Sequence, residues 1–337
     1  MQRNNSFILY TVHRILYIVS CRLSLVIRHS SFVLYSLSLV SCVLLISCSD
    51  YYKNDYKDNS PTSGKLKIYY DEGLELQVQN QIYTFEAHYP NAHLEAISCS
   101  DNEAVQALYN DSCELIVISR PLTETEKKAF ESKNFNIIPS PVAKSGVALI
   151  TNIDTKLNQL SFEQVADLLT NPFVCVDSMS NQSKLNVVFD KSNSSVMHYL
   201  RDSVIKGKTF SSSCSVLKST LESINFVANT KNAVAFIDFA WLSDVDDSIT
   251  KANSQKVKFI PISKRNSNEF EFPSQSSFKL NTYPFTRTIY VIKKTGEFTL
   301  AKGFETFVAS AQGQNTFLKQ GLLPVKQQER SIEVKLK

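Results

Sequence analysis

Eight short apolar runs, spaced along the chain and separated by stretches of helical period, set the strongest limit on the fold. They are "KLKIYY" (65–70), "HLEAISC" (93–99), "ELIVISR" (114–120), "SGVALIT" (145–151), "LNVVFD" (185–190), "AVAFIDF" (233–239), "VKFIPI" (257–262) and "TIYVIKK" (288–294). Several are apolar almost throughout, the pattern of strands covered on both faces. Helix starts between them are marked by capping boxes: Ser100-x-x-Glu103, Thr123-x-x-Glu126 and Ser161-x-x-Gln164. Patterns such as "NEAVQALYN" and "FEQVADLLT" follow. Strand–helix alternation of this kind predicts an α/β fold with mainly parallel sheets. Residues 49–63, "SDYYKNDYKDNSPTS", carry no aliphatic side chain and read as a polar tether. The chain beyond them, about 270 residues, is enough for two lobes of ordinary size.

In open α/β sheets, ligands bind outside the carboxyl ends of strands, where helices begin. The turns at those places read "YYDEGLE", "SCSDNEA", "SRPLTETE" and "FDKSNSSVM". They are rich in hydroxyls, amides and charges and poor in glycine. Free N–H groups at helix N-termini make such turns anion sites without a glycine loop. The chain has eight Gly, none adjacent to another, and contains neither GxGxxG nor GxxxxGK[ST]. There is no GxSxG elbow and no CxxC, so the serine-hydrolase and zinc-pair motifs are absent. His88 and His93 flank Pro90 and share no helical face. Ser194 and His198 do share one, but the sequence places no orienting carboxylate beside them. No catalytic residue, metal ligand or cofactor is expected.

The N-terminal region has a different character. Arg3, Arg14, Arg22 and Arg28 precede an uncharged stretch from Ser31 to Ser47. A basic leader with a short apolar core is the export pattern, and the uninterrupted core is shorter than the roughly 20 residues of a bilayer span. "LISC" (45–48) resembles the bacterial lipobox, which implies a signal peptide over 1–48 and lipid attachment at Cys48. The whole chain has 36 basic and 32 acidic residues. Removing the four leader arginines leaves 32 of each, so the mature chain gives no reason to expect nucleic acid as a partner. Cys99 and Cys113 fall at opposite ends of neighbouring strands and are expected to be buried free thiols; Cys175 and Cys214 are not decided by spacing.

The C-terminal third carries a family resemblance. "YPFTRTIYVIKK" (283–294) and "FETFVASAQGQNTFLKQGLLPVKQ" (304–327) resemble the end of the phosphate-binding lipoproteins of ABC phosphate importers. The shared positions are Tyr283, Pro284, Arg287, Ser310, Gly313, Gln314, Gly321 and Pro324. "LIVISRPLTETE" (115–126) is similar to another family turn, and "VVFDKSNSSV" (187–196) stands where the family has Ser-Gly-Thr. The resemblance implies a two-lobed periplasmic-binding-protein-like fold of type II with two crossing segments. Lobe 1 would comprise 64–148 and 284–337, and lobe 2 149–283. It implies a monomeric, extracytoplasmic lipoprotein, held to the membrane by its lipid, that captures phosphate or a related oxyanion for an ABC transporter permease. The expected ligand groups are Ser100, Ser119 and Ser194, with Arg120, Asn193 and Ser195 nearby and Glu72 and Gly73 lining the same cleft. Arg287 is expected in a buried ion pair. Two departures stand out: Ser194-Ser195-Val196 replaces Ser-Gly-Thr, and the family's arginine and acid are exchanged, giving Asp190 and Arg120. Arg120 would then either pair with Asp190 or serve the oxyanion. The alternative reading is a cell-envelope interaction protein that keeps the fold and has lost its solute.

Overall fold

The run Leu115–Ile118 shows how the core is built. All four side chains are buried. Leu115 and Val117 join one apolar cluster, and Ile116 and Ile118 join a second on the other face of the sheet. A strand covered on both sides needs no polar alternation, which is why such runs are apolar throughout.

The computed structural model describes residues 60–171, 185–244, 246–294 and 298–326. The expected leader with Cys48, most of the tether, and Cys175 lie outside the described residues. In chain order the first part contains β1 (Gly64–Asp71), α1 (Glu75–His88), β2 (Ala92–Cys99), α2 (Asp101–Tyr109), β3 (Leu115–Ile118) and α3 (Glu124–Ser132). The long strand β4 (Ile137–Asn152) follows. Next come α4 (Phe162–Thr170), β5 (Asn186–Phe189), α5 (Ser195–Tyr199), β6 (Cys214–Val216), α6 (Thr220–Asn229) and β7 (Ala233–Asp238). After α7 (Ser248–Ser254) come β8 (Val257–Phe259), β9 (Ile262–Ser263), β10 (Phe270–Glu271) and α8 (Gln275–Lys279). The chain returns through β11 (Thr286–Lys294), α9 (Leu300–Val308), α10 (Ala311–Lys319) and β12 (Leu323–Pro324). All three capping boxes read from the sequence are formed, at the starts of α2, α3 and α4.

The main sheet runs β2-β1-β3-β11-β4-β7-β5-β6, with β8 and β12 also on β4. It is mixed, which corrects the expectation of mainly parallel sheets. The trios β2-β1-β3 and β7-β5-β6 are parallel. β11 is antiparallel to both β3 and β4, and β4 is antiparallel to β7. The reason lies in the connections. Helical crossovers keep the outer trios parallel, whereas β4 and β11 link the two trios and run against them. β4 pairs with β11 over residues 137–146 and with β7 over 147–151.

The C-terminal motif is structural. Tyr283 Oη donates to the Val147 carbonyl at 2.7 Å, tying the return segment to β4. Gln314 Nε2 donates to the carbonyls of Val142 and Val308 at 3.1 and 2.8 Å. At Gly313 a Cβ would lie 2.5 Å from the Phe307 carbonyl oxygen, so only glycine lets α10 sit this close to the end of α9. Cys99 and Cys113 are buried free thiols, as expected, and Cys214 is also free. Among the described residues no helix is long and apolar enough to cross a membrane.

Candidate functional site

Register decides which residues meet. Asp71 is opposite Cys99 at the ends of β1 and β2, Phe189 is opposite Phe236, and Asp238 is opposite Val147. The turns that follow β1, β2, β3 and β5 therefore converge at the middle of the sheet. A Cβ on Gly73 would lie 3.5 Å from Ser195 Oγ and 3.7 Å from the Asp238 Cβ, so the first turn packs directly on the start of α5. Ser119 Oγ donates to Asp71 Oδ2 at 2.5 Å. The Asp101 carboxylate meets His198 Nδ1 at 2.8 Å.

Two arginines serve this region. Arg287, opposite Ser145 in the β4–β11 ladder, is 4 % exposed. Its Nη2 is ion-paired with Asp238, and its Nη1 donates to Ser195 Oγ at 3.0 Å. Ser145 Oγ and the Ala240 amide donate to the other Asp238 oxygen at 2.8 and 2.9 Å. The buried carboxylate thus has a full set of partners, as expected for Arg287. Burial by itself would lower the Arg287 pKa; the Asp238 and Asp71 carboxylates outweigh it and hold it above its ordinary value. Arg120 lies nearer solvent. Its Nε donates to Asp101 Oδ2 at 2.6 Å, and its two terminal nitrogens donate to Glu126 at 2.9 and 2.8 Å. Of the two uses open to Arg120, the pair with Asp190 is not formed. The α2 and α3 starts bring Asp101 and Glu126 to Arg120 first, and a guanidinium fork binds carboxylates locally where two are within reach.

The remaining carboxylates are less well matched. Asp190 is 1 % exposed; it accepts from the Lys191 amide at 3.0 Å and from Thr220 Oγ1 at 3.5 Å. Burial raises its pKa to about 6 despite hydrogen bonds from Ser194 and Lys191, and the Asp71 carboxylate adds to the rise. Burial likewise raises Glu72 to about 7, although Lys191 Nζ is 2.7 Å from its Oε2. Asp71 is fully buried, and burial raises its pKa against the opposing pull of Arg287 and of hydrogen bonds from Ser119 and Ser195. At Asp101 burial is outweighed by His198 and Arg120, which hold the carboxyl below its usual range.

Beside this centre lies a cavity of about 200 Å³, into which Ser119, Arg120, Ser195, His198, Arg201 and Arg287 all face. Arg201 belongs to a π-helical turn, Leu200–Val204, that continues α5. Such turns recur at functional sites. Three of the eight expected ligand residues line the cavity: Ser119, Arg120 and Ser195. Glu72 and Gly73 form the first turn behind them. Ser100 and Ser194 are the N-caps of α2 and α5, accepting from the amides of Glu103 and Met197. Asn193 sits in the preceding turn with φ of 59° and is exposed.

A family model described as a PBP superfamily domain matches residues 59–312. The chain belongs to the PBP superfamily. The phosphate-binding protein PstS of Pseudomonas aeruginosa is 22 % identical over 289 residues, 83 % of this chain and 89 % of that protein. Among solved structures, a candidate phosphate ABC transporter substrate-binding protein with bound phosphate from Clostridium perfringens has a TM-score of 0.66 at 18 % identity. It is covered over 78 % of this chain and all of that one. An ABC-type phosphate transport receptor from Vibrio cholerae has a TM-score of 0.60 at 17 % identity, over 77 % of this chain and all of that one. These structures establish that the PBP-superfamily chain shares their mixed α/β fold.

Within this PBP-superfamily fold, Asp71, Asp101, Asp238 and His198 are the central residues that the sequence reading did not assign to the site. Asp71 and Asp238 had a signal: each is the last residue of a strand. Asp101 and His198 meet across 97 positions, which no local spacing reveals. The carboxylate that orients His198 is therefore present, but the Ser194 hydroxyl is occupied in capping its own helix.

Proposed function

We propose that this chain is an extracytoplasmic solute-binding protein that captures phosphate or a related oxyanion and delivers it to the permease of an ABC importer. In this reading it binds without catalysing, works as a monomer, and is held to the cell envelope by lipid on Cys48. Lobe 1 is formed by 64–148 and 284–337, lobe 2 by 149–283, and β4 and the segment entering β11 are the two crossings. The observation that supports the reading is the cavity lined by Arg120, Arg201, Arg287, His198 and the hydroxyls of Ser119 and Ser195, with the carboxylates of Asp101, Glu126 and Asp202 on the same wall. Converging guanidinium groups and hydroxyls are the donor set that a tetrahedral oxyanion requires. The relatives' descriptions as phosphate-binding or phosphate-transport proteins support the same ligand class.

Calorimetry and thermal melting of the full chain with inorganic phosphate and sulfate test it. Binding of phosphate with an upward melting shift is expected. Absence of both heat and shift with either anion would replace the receptor with the envelope interaction protein.

A further inference from the structure

Three arginines line the cavity, and only one has its terminal donors left for a solute. Arg120 spends every guanidinium nitrogen: Nε on Asp101, Nη1 on Glu126 and the Pro121 carbonyl, and Nη2 on Glu126 and Asn102. Arg287 spends Nη1 on Ser195 and Nη2 on Asp238, and its Nε is buried. Arg201 spends Nε on its neighbour Asp202, at 2.9 Å. Among the described residues its two terminal nitrogens have no hydrogen-bond partner, so the flat fork that suits an oxyanion is open. The Arg201 side chain is 44 % exposed, against 2 % for Arg287, which puts that fork at the rim of the cavity. The inner wall has another chemistry. Ser119, Ser195 and His198 line it and are buried. Asp101 and Glu126 bring two carboxylates to the one guanidinium of Arg120, and Asp238 takes up the charge of Arg287. An oxyanion there would meet carboxylates and no uncommitted cation. A neutral hydroxyl would fit, because it both donates and accepts and so matches Ser119 and Ser195 whichever way their protons point. The cavity, about 200 Å³, has room for roughly seven waters at about 30 Å³ each, more than a bare tetrahedral ion displaces.

We propose that the solute is a hydroxylated phosphate monoester, its phosphate gripped by Arg201 at the rim and its hydroxyls received by Ser119 and Ser195 within. This rests on the oxyanion-receptor reading and names the kind of oxyanion and the arginine that holds it.

Calorimetry on the full chain with glycerol 3-phosphate and with inorganic phosphate is the test, with thermal melting as the check on folding. Two neutral hydrogen bonds are worth about tenfold in affinity, so glycerol 3-phosphate is expected to bind about tenfold more tightly than inorganic phosphate. Arg201→Gln removes a bond to a charged group and is expected to weaken both by about tenfold or more. Arg201 is half-exposed, so the same variant is expected to melt as wild type does without ligand. Ser119→Ala is expected to weaken glycerol 3-phosphate about threefold and to leave inorganic phosphate within about twofold, whereas a merely structural Ser119 would move both alike. If inorganic phosphate binds as tightly as the monoester, or if Arg201→Gln leaves both affinities within about twofold, the inference falls and the receptor reading stands. If the monoester binds and inorganic phosphate does not, the inference stands and the solute is not the bare ion. If neither binds, both fall.

Discussion

Arg287 and Arg120 both line the cavity, and the fold treats them differently. Arg287 is held inside, its side chain 2 % exposed, against one carboxylate that is itself closed off by Ser145 and the Ala240 amide. Arg120 is 23 % exposed and divides its donors among Asp101, Glu126 and Asn102. The first pair joins strands at the core of the sheet; the second ties two helix starts together at the rim. An interior pair cannot be broken without leaving a charge that water does not reach, whereas a rim pair that is broken is rehydrated.

The sharpest way to break this comparison is Arg287→Met. It strands the fully buried Asp238 carboxylate and is expected to cost about 3–5 kcal/mol of stability, read by denaturant unfolding. A cost below about 1 kcal/mol would mean that the pair is not the anchor described.

Asp190 extends the comparison to a buried carboxylate with no cation in hydrogen-bond contact. Its carboxyl titrates at about 6 in the folded chain against an ordinary 3.8. Between those values the folded chain keeps a proton that the unfolded chain has released. Stability is therefore lost as pH rises through that window, and Glu72, raised to about 7, extends the fall. Asp190→Asn removes the first component. It is expected to unfold at higher denaturant concentration than wild type at pH 8, by roughly 2–3 kcal/mol, with the gain vanishing near pH 4. An equal offset at both pH values would assign the effect to packing.

Arg120→Gln should be the mildest of the three, at about 1 kcal/mol, because Asp101 keeps His198 and Glu126 can hydrate. A loss as large as that of Arg287→Met would show that burial does not separate the two arginines.

The sequence made the fold legible wherever the signal was local. Every one of the eight apolar runs contains a strand, and three capping boxes located three helices. The first half of β4 lay outside the eight runs, because "IIPSPV" carries two prolines, which argue against a strand. Pro139 and Pro141 nevertheless sit in the ladder with β11, opposite Ile292 and Tyr290, on a stretch that β7 does not pair. The site was legible only in part. Hydroxyls at helix starts announce themselves by their spacing to the acid or amide three residues on. Asp71 with Ser119, Arg287 with Asp238 and Asp101 with His198 lie 48, 49 and 97 positions apart, and only strand register brings them together. The partners of Arg120 were hidden for the same reason: Asp101, Glu126 and Asn102 depend on how α2 and α3 sit over the strand ends.

The place of β11 has a consequence for the order of assembly. It lies between β3 and β4, although it begins 168 positions after the end of β3 and 134 after the end of β4. As the polypeptide emerges from the ribosome, β3 and β4 are complete long before their shared neighbour exists. Until residue 294 is available, Leu115–Ile118 has a bare edge facing β4 across a missing strand. Exposed apolar edges of this kind invite pairing with other chains. Closing the sheet also requires a long loop to be formed before its contacts repay it, which makes folding slow. A chain wired this way stays uncommitted until nearly all of it has been synthesised.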